Sequence, residues 1–324
     1  MAISIDEIQA PIIEEMSSFE KKFRNSMKTN VMLLDQIMKY IIHRKGKQIR
    51  PMFVFLTAGT VGQIADSTYR GAALIELVHT ASLVHDDVVD DSNYRRGFFS
   101  INALWKNKVA VLVGDFLLSK GLDLSLKHKD YNLMEIVNNA VKEMSEGELL
   151  QIEKARKLDI TEEIYFDVIR KKTASLIASC CAVGAASTGA DETMVEKARL
   201  LGEKIGMAFQ IKDDLFDFGT DEIGKPTGID IKEKKMTLPL IFALNNTGWF
   251  TKRKIINLIK NESDKPNKVL EVIDFVRSSG GIDYTKKIMQ NFVNQAYDIL
   301  DSFPESAHKN SLKNLVQFTI ERTK

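Results

Sequence analysis

Apolar residues recur at three- to four-residue steps along almost the whole chain, and this periodicity constrains the fold more than any other feature. Ile5, Ile8, Ile12 and Ile13 follow it, as do Val31, Leu34, Ile37, Met38, Ile41 and Ile42. Such spacing puts side chains on one face of an α-helix, whereas a half-buried strand needs strict alternation. Alternation bounded by tight turns is almost absent. From Tyr69 to Asp91 the chain is apolar on several faces, the pattern of a central buried helix. The spacing therefore predicts an all-α fold. Breaks are expected at Lys45-Gly46-Lys47 and Arg96-Gly97, then across Gly219 to Asp230, which holds Gly224, Pro226 and Gly228. Others are expected at Lys265-Pro266, Gly280-Gly281 and Pro304. None is a low-complexity linker, and no fixed-period repeat runs through the chain.

Composition excludes several classes. The 324 residues are 44% hydrophobic and 27% charged, ordinary for a globular protein with a large core. The net charge of +1 gives no bulk attraction to nucleic acid or to an anionic membrane. Cys180 and Cys181 are adjacent, so they form no ordinary disulfide and belong to no metal-binding pattern. They read as small buried apolar residues, which suits a reducing cytoplasm. Met1 to Ser18 carries acids and no apolar stretch, so no signal peptide is expected. No run of 18 apolar residues occurs, and no transmembrane helix is expected.

Two acidic motifs interrupt the apolar pattern. Asp86-Asp87-Val88-Val89-Asp90, followed by Asp91, and Asp213-Asp214-Leu215-Phe216-Asp217 both read DDxxD. On a helix, residues four apart share a face, so Asp86 pairs with Asp90 and Asp213 with Asp217. Carboxylates this close raise one another's pKa unless a cation sits between them. Magnesium suits that place, because it takes oxygen ligands, usually one or two carboxylates completed by substrate phosphates. Each motif ends an apolar stretch, Ala72 to His85 and Leu200 to Ile211. The bland alternative is a solvated acidic helix end, which explains one such motif more easily than two.

Basic residues able to hold phosphate lie near these motifs. Lys47 and Arg50 follow Gly46, and Arg95-Arg96-Gly97 follows the first motif. Lys171-Lys172-Thr173, Lys225 and Lys234-Lys235 come later. Arginine grips phosphate oxygens bidentately and lysine acts as a point charge. Any one of them alone is an ordinary surface charge.

Taken together, GKQIRP (Gly46 to Pro51), HTASLVHDDVVDDSNYRRG (His79 to Gly97) and Lys172-Thr173 resemble the trans-isoprenyl diphosphate synthases. So do GMAFQIKDDLFDF (Gly206 to Phe218) and GKPTGIDIKEKKMTLP (Gly224 to Pro239). The order matches, and the resemblance covers nearly the whole chain as a single polyprenyl synthetase domain, 1–324. It implies an isoprenoid synthase-type helical bundle around a deep cavity, usually in a homodimer. The implied reaction is head-to-tail addition of isopentenyl diphosphate to an allylic diphosphate. The resemblance also implies Mg²⁺, three ions per site, with Asp86, Asp90 and Asp213 as main ligands and Asp87, Asp214 and Asp217 direct or through water. Lys47, Arg50, His79 and Arg96 would bind isopentenyl diphosphate without metal. Arg95, Lys172, Lys235 and Lys225 would bind the allylic diphosphate. Thr173 and Gln210 would turn oxygen dipoles toward the developing cation. His85 reads as a structural neighbour of the acids. Where the family usually has Gly-Lys before Thr-Leu-Pro, this chain has Lys234-Lys235.

Product length is expected to depend on the residues behind the first motif. Ser82 and Ala81 lie about 6 to 7.5 Å back along a helix and are small, where a bulky aromatic would stop growth early. Val78, Leu74 and Ile75 come next, and the floor is expected from another helix, within Leu133 to Leu150. A product longer than geranylgeranyl follows, such as a quinone side-chain precursor. A short-chain synthase, a terpene cyclase and a non-catalytic synthase subunit are the alternatives. A cyclase needs no metal-free diphosphate site, and a non-catalytic subunit loses aspartates that are complete here.

Overall fold

The computed structural model describes residues 3–321 apart from 45, 96, 159 and 220–226. The first half runs α1 (Ile5–Gln9), a 3₁₀ turn (Ala10–Ile12), α2 (Ile13–Ser26), α3 (Met32–His43), α4 (Ile49–Val61) and α5 (Asp66–Val89). A hairpin of β1 (Tyr94–Arg95) and β2 (Phe98–Phe99) follows, then α6 (Ile101–His128) and α7 (Tyr131–Lys157). The second half runs α8 (Glu162–Ile169), a π-helical turn (Arg170–Ala174), α9 (Ser175–Ala186) and α10 (Glu192–Phe216). After it come α11 (Ile229–Lys232), α12 (Leu238–Asn245), α13 (Trp249–Asn261), α14 (Pro266–Ser278), α15 (Gly281–Asp301) and α16 (Ala307–Glu321). The hairpin, antiparallel with Tyr94 opposite Phe99, holds the only strands among the described residues, and the fold is all-α.

Local chemistry sets the helix ends. The Ser4 hydroxyl accepts from the Glu7 amide at 3.2 Å while Glu7 accepts from the Ser4 amide at 3.1 Å, a closed capping box. Thr161 caps α8 through the Ile164 amide. Prolines 239 and 266 sit in the first turns of α12 and α14, where their missing N–H costs nothing.

The chain forms two compact units. The first comprises residues up to Val141, Ser179–Arg199 and Phe303–Leu315. Its α4 is almost wholly inside, with Met52 to Leu56 fully buried. A second apolar cluster joins Ile37 and Met38 of α3, Leu77, Ala81 and Val84 of α5, and Val113 and Leu117 of α6. Cys180 and Cys181 are buried free thiols, as expected for small core residues. The second unit comprises Lys142–Ala178, Leu200–Ser302 and the chain from Val316 on. Its core gathers Leu240 and Ile241 of α12, Leu258 and Ile259 of α13 and Val272 and Ile273 of α14 around Met207 and Ile211 of α10. Each fully buried side chain of this kind contributes about 1.5–3 kcal/mol.

Both acidic motifs end helices, as the sequence indicates, but each runs past its helix. Asp86 and Asp87 lie in the last turn of α5, Asp90 is its C-cap, and Asp91 takes a left-handed φ of 47°. Asp213 and Asp214 lie in the last turn of α10, and Asp217 sits in the turn beyond it. Asp217 therefore stands just past the helix that carries Asp213, although both line one cleft. The helix stops at Phe216, and Arg277 of α14 donates to the carbonyls of Phe218 and Gly219 at 2.9–3.0 Å, satisfying acceptors of the turn that follows it.

Glycines let the first unit's helices touch. A Cβ at Gly71 of α5 would meet Val183 Cγ1 of α9 at 2.5 Å, whereas one at Gly184 would meet the Val54 carbonyl oxygen of α4 at 2.5 Å. Gly71→Ala is expected to cost about 1–3 kcal/mol by overpacking, and Val183→Ala to recover part of that loss. Denaturant unfolding of the two single variants and the double variant measures the coupling, and strict additivity would contradict the contact. Gly184→Ala meets backbone, so no trimming of Val54 is expected to rescue it.

Candidate active site

The second unit holds a cleft enclosing about 1110 Å³, open solvent included, lined by acids on one side and by the π-helical turn on another. Asp213, Asp214, Asp217 and Asp230 meet Lys172, Thr173, Gln210 and Lys235 around it. The sequence names seven of these eight and misses Asp230. That acid sits in α11, outside the DDxxD spacing, and the chain reversal after α10 is what brings it in.

The π turn carries Lys172 and Thr173. Such one-turn insertions bulge a helix outward and recur at functional sites. Two glycines make room for this one: a Cβ at Gly147 of α7 would lie 2.8 Å from the Lys172 amide nitrogen, and one at Gly206 of α10 would lie 2.5 Å from Ala174 Cα. Lys172 Nζ donates to Gln151 Oε1 at 3.1 Å and pairs with Glu148.

A hydrogen-bond chain crosses the cleft. Thr173 donates to Gln210 Oε1 at 2.8 Å, Gln210 Nε2 donates to Asp214 Oδ1 at 2.9 Å, and the buried Tyr165 hydroxyl donates to Asp214 Oδ2 at 2.7 Å. Both Asp214 oxygens are thus held by protein donors. Burial, with the Asp230 charge beside it, still pushes the Asp214 carboxyl up to about 7. Burial and the Asp217 charge push Asp230 up to about 6. Asp217 is raised by burial but accepts from the amides of Ile229 at 2.7 Å and Asp230 at 3.2 Å, so it caps α11 and fixes Asp230 in place. Tyr165, buried against Asp214, is held far above its ordinary value and stays a donor.

These residues fit a hard divalent cation. The donor set is carboxylate oxygen, and the acids raise one another's pKa, which a cation beside them would reverse. Among the described residues no three His, Cys, Asp or Glu side chains form a ready ligand set. Magnesium commonly takes only one or two protein carboxylates.

At Lys234 the chain takes φ 59°, the left-handed conformation in which glycine is least strained. The loop still closes, since the Lys235 amide donates to the Asp230 carbonyl at 2.8 Å. Lys235 Nζ lies 2.5 Å from Glu233 Oε2 and faces the cleft.

The first unit has its own cleft, lined from α5 by Glu76, Thr80, Leu83, Val84 and Asp87 and from the hairpin by Arg95, Phe98 and Phe99. Asp87 is almost fully buried and accepts from Arg95 Nε at 2.6 Å, so the two are a charge pair. Asp86 is half-buried and Asp90 exposed. Of the expected isopentenyl diphosphate residues, Lys47 is exposed, Arg50 half-buried and His79 buried, while Arg96 lies outside the described residues, as does Lys225. The charges of Arg50 and Glu76 both act on Cys180, so those groups lie near it. Ala81 is fully buried and Val78 nearly so. Ser82 is half-buried and donates to the His79 carbonyl at 2.9 Å. His85 rests on α6, its ring against Gly114 and 3.5 Å from Asp115.

Sequence reading missed a clamp on the hairpin. The Arg44 guanidinium lies 3.3 Å from the Tyr40 ring centroid and 4.4 Å from that of Phe98. Arg44 and Tyr40 both donate to the Phe99 carbonyl, at 2.6 and 2.7 Å. This ties to α3 the hairpin that carries Arg95. No spacing rule marks such a contact, because its partners are more than fifty residues apart.

Residues 31–276 match the profile of the polyprenyl synthetase family. The all-trans-nonaprenyl-diphosphate synthase (geranyl-diphosphate specific) of Rhodobacter capsulatus is 34% identical over 99% of each chain. The structure is similar to a polyprenyl synthase from Caulobacter crescentus CB15 complexed with calcium and isoprenyl diphosphate. That match has TM-score 0.91 and 29% identity, covering 100% of this chain and 99% of the other. It is also similar to a geranylgeranyl pyrophosphate synthase from Bacteroides thetaiotaomicron, with TM-score 0.84 and 37% identity over 98% and 99% of the two chains. Profile, sequence and fold agree with the acid cleft: the chain belongs to the polyprenyl synthetase family and is a prenyltransferase.

Proposed function

We propose that this chain is a trans-polyprenyl diphosphate synthase that adds isopentenyl diphosphate head to tail to an allylic diphosphate and carries the product beyond geranylgeranyl. The observation that carries the reading is the cleft of the second unit, where Lys172, Thr173 and Gln210 stand among four aspartates. The similarity to a nonaprenyl-diphosphate synthase supports the longer product. The similarity to a geranylgeranyl pyrophosphate synthase favours a short-chain synthase as the second reading.

Asp86, Asp87 and Asp90, with Asp213, Asp214 and Asp217, would hold Mg²⁺, three ions in all. When bound, the ions neutralise charge on the allylic diphosphate. Arg95, Lys172, Lys235 and Lys225 grip the same group. Lys47, Arg50, His79 and Arg96 hold isopentenyl diphosphate. The allylic carbon–oxygen bond breaks and the diphosphate leaves with its electron pair. Thr173 and Gln210 present oxygen dipoles to the positive carbon. The isopentenyl double bond supplies the electrons of the new carbon–carbon bond, and the proton then lost goes to the departed diphosphate. Tyr165 keeps Asp214 in place throughout.

The protein works in this reading as one domain, 1–324, in a cytoplasmic homodimer. Val111, Leu112, Leu122 and Leu126 leave exposed apolar side chains along α6 beyond its kink at Lys106, which supports a partner there.

Incubation with Mg²⁺, isopentenyl diphosphate and farnesyl diphosphate, followed by chromatography of the products, tests the reading. Products longer than geranylgeranyl are expected, and Asp213→Ala is expected to lose activity on the order of 10²-fold or more. A product that stops at geranylgeranyl would favour the second reading, and no elongation would refute both. Ala81→Tyr is expected to shorten the product, and an unchanged length would remove Ala81, Ser82 and Val78 from the chain-length wall. Arg44→Ala frees the hairpin and is expected to raise KM for the allylic diphosphate about tenfold, equivalent to about 1.4 kcal/mol, with a smaller change in kcat. A fall in kcat alone would show that the clamp does not position Arg95.

A further inference from the structure

The first two residues of α13, Trp249 and Phe250, are 62% and 84% exposed. Their rings meet edge to face at 5.0 Å, and Arg253 lies 5.2 Å from the indole centroid. The same helix buries Ile255, Leu258 and Ile259 in the core of the second unit, so the aromatic pair is surplus to its packing.

Charge provides a second, independent observation. From Met236 to Asn261 the chain has no Asp or Glu, yet it carries Lys252, Arg253, Lys254 and Lys260. The near-neutral total conceals this local excess. The facing acid is Glu271 of α14, shared between Lys254 at 2.6 Å and Lys268 at 3.0 Å. Lys252 and Arg253 remain in excess over it.

Position provides a third. Met236 and Thr237, just before α12, line the acid cleft. The eight residues of α12 then rise about 12 Å, and Trp249 follows at the far end. The aromatic pair thus follows the end of α12 opposite the one at the acid cleft.

We propose that Trp249 and Phe250 dock this protein on the surface of an anionic phospholipid bilayer. The rings sit at the boundary of headgroups and acyl chains, and Lys252 and Arg253 face the lipid phosphates. Tryptophan favours that boundary because its ring is apolar and its N–H can still reach water. Basic residues strengthen the contact within a Debye length of the anionic surface. No described helix is long and apolar enough to cross a membrane. The proposal rests partly on the elongation reading, because a long polyprenyl diphosphate belongs in a membrane.

The test uses the full chain without substrates, so it can fail independently of elongation. Vesicles of phosphatidylglycerol and phosphatidylcholine, or of phosphatidylcholine alone, are floated with wild type, Trp249→Ser/Phe250→Ser and Lys252→Glu/Arg253→Glu. Wild type is expected to float with the anionic vesicles and each double variant at least tenfold less, with activity on soluble short substrates unchanged. A Trp105→Phe variant leaves Trp249 as the sole indole. Its emission is expected to shift to the blue on anionic vesicles and to be quenched by lipids labelled in the acyl chain. Wild type floating no better than the aromatic variant, or Trp249 emission unmoved by vesicles, would overturn the proposal. So would a lower mass of the aromatic variant in sedimentation without lipid, which would assign the patch to a second copy of this chain.

Discussion

Four aspartates crowded into one half-buried cleft are the constraint on which the second unit depends. Carboxylates at close range repel, and burial makes ionisation harder still. The fold answers with fixed donors rather than with neutralising lysines alone. Tyr165 and Gln210 hold both oxygens of Asp214, and the start of α11 holds those of Asp217. What remains is an acidic surface that a hard cation and a diphosphate can complete. Burial, and the Asp230 charge after it, still push the Asp214 carboxyl up to about 7 against these donors.

The surrounding architecture serves this arrangement through backbone shape. A regular helix through residues 170–174 would place Lys172 and Thr173 differently. The π turn displaces them, and Gly147 and Gly206 clear the space it occupies. In the first unit the same economy appears at the hairpin, where Arg44 and Tyr40 hold one carbonyl and Arg95 reaches Asp87 from the strand before it. In each unit a residue outside the acidic motifs fixes a cation that faces phosphate in the proposed reaction.

Much of this was legible in the sequence. The helical spacing of Val31 to Ile42 became α3, the apolar run before Asp86 became α5, and the glycine and proline breaks among the described residues fell between elements or in an element's first two residues. The DDxxD motifs, Lys172 and Lys235 were visible because their chemistry is local in sequence, whereas Thr173 and Gln210 were marked only by the family resemblance of the motifs around them. Asp230 and Tyr165 were not, since the chain reversal after α10 and the packing of α8 bring them to Asp214 from a distance. The π turn was also hidden, because its sequence is an ordinary helical one and its shape follows from the glycines packed against it. Helix ends were the weakest point. Asp217 reads as helical by spacing, yet it leaves the helix to cap α11. Lys234 takes the left-handed place of the expected glycine without opening the loop.

The central claim is that the acidic clusters bind an allylic diphosphate through divalent ions. Titration calorimetry with an unreactive thiolo analogue of farnesyl diphosphate tests it most directly. Tight binding is required with Mg²⁺ and not with EDTA, and it should be lost in both Asp86→Ala and Asp213→Ala while each variant stays folded. Equal binding with and without the metal, or wild-type affinity in either variant, would contradict the account.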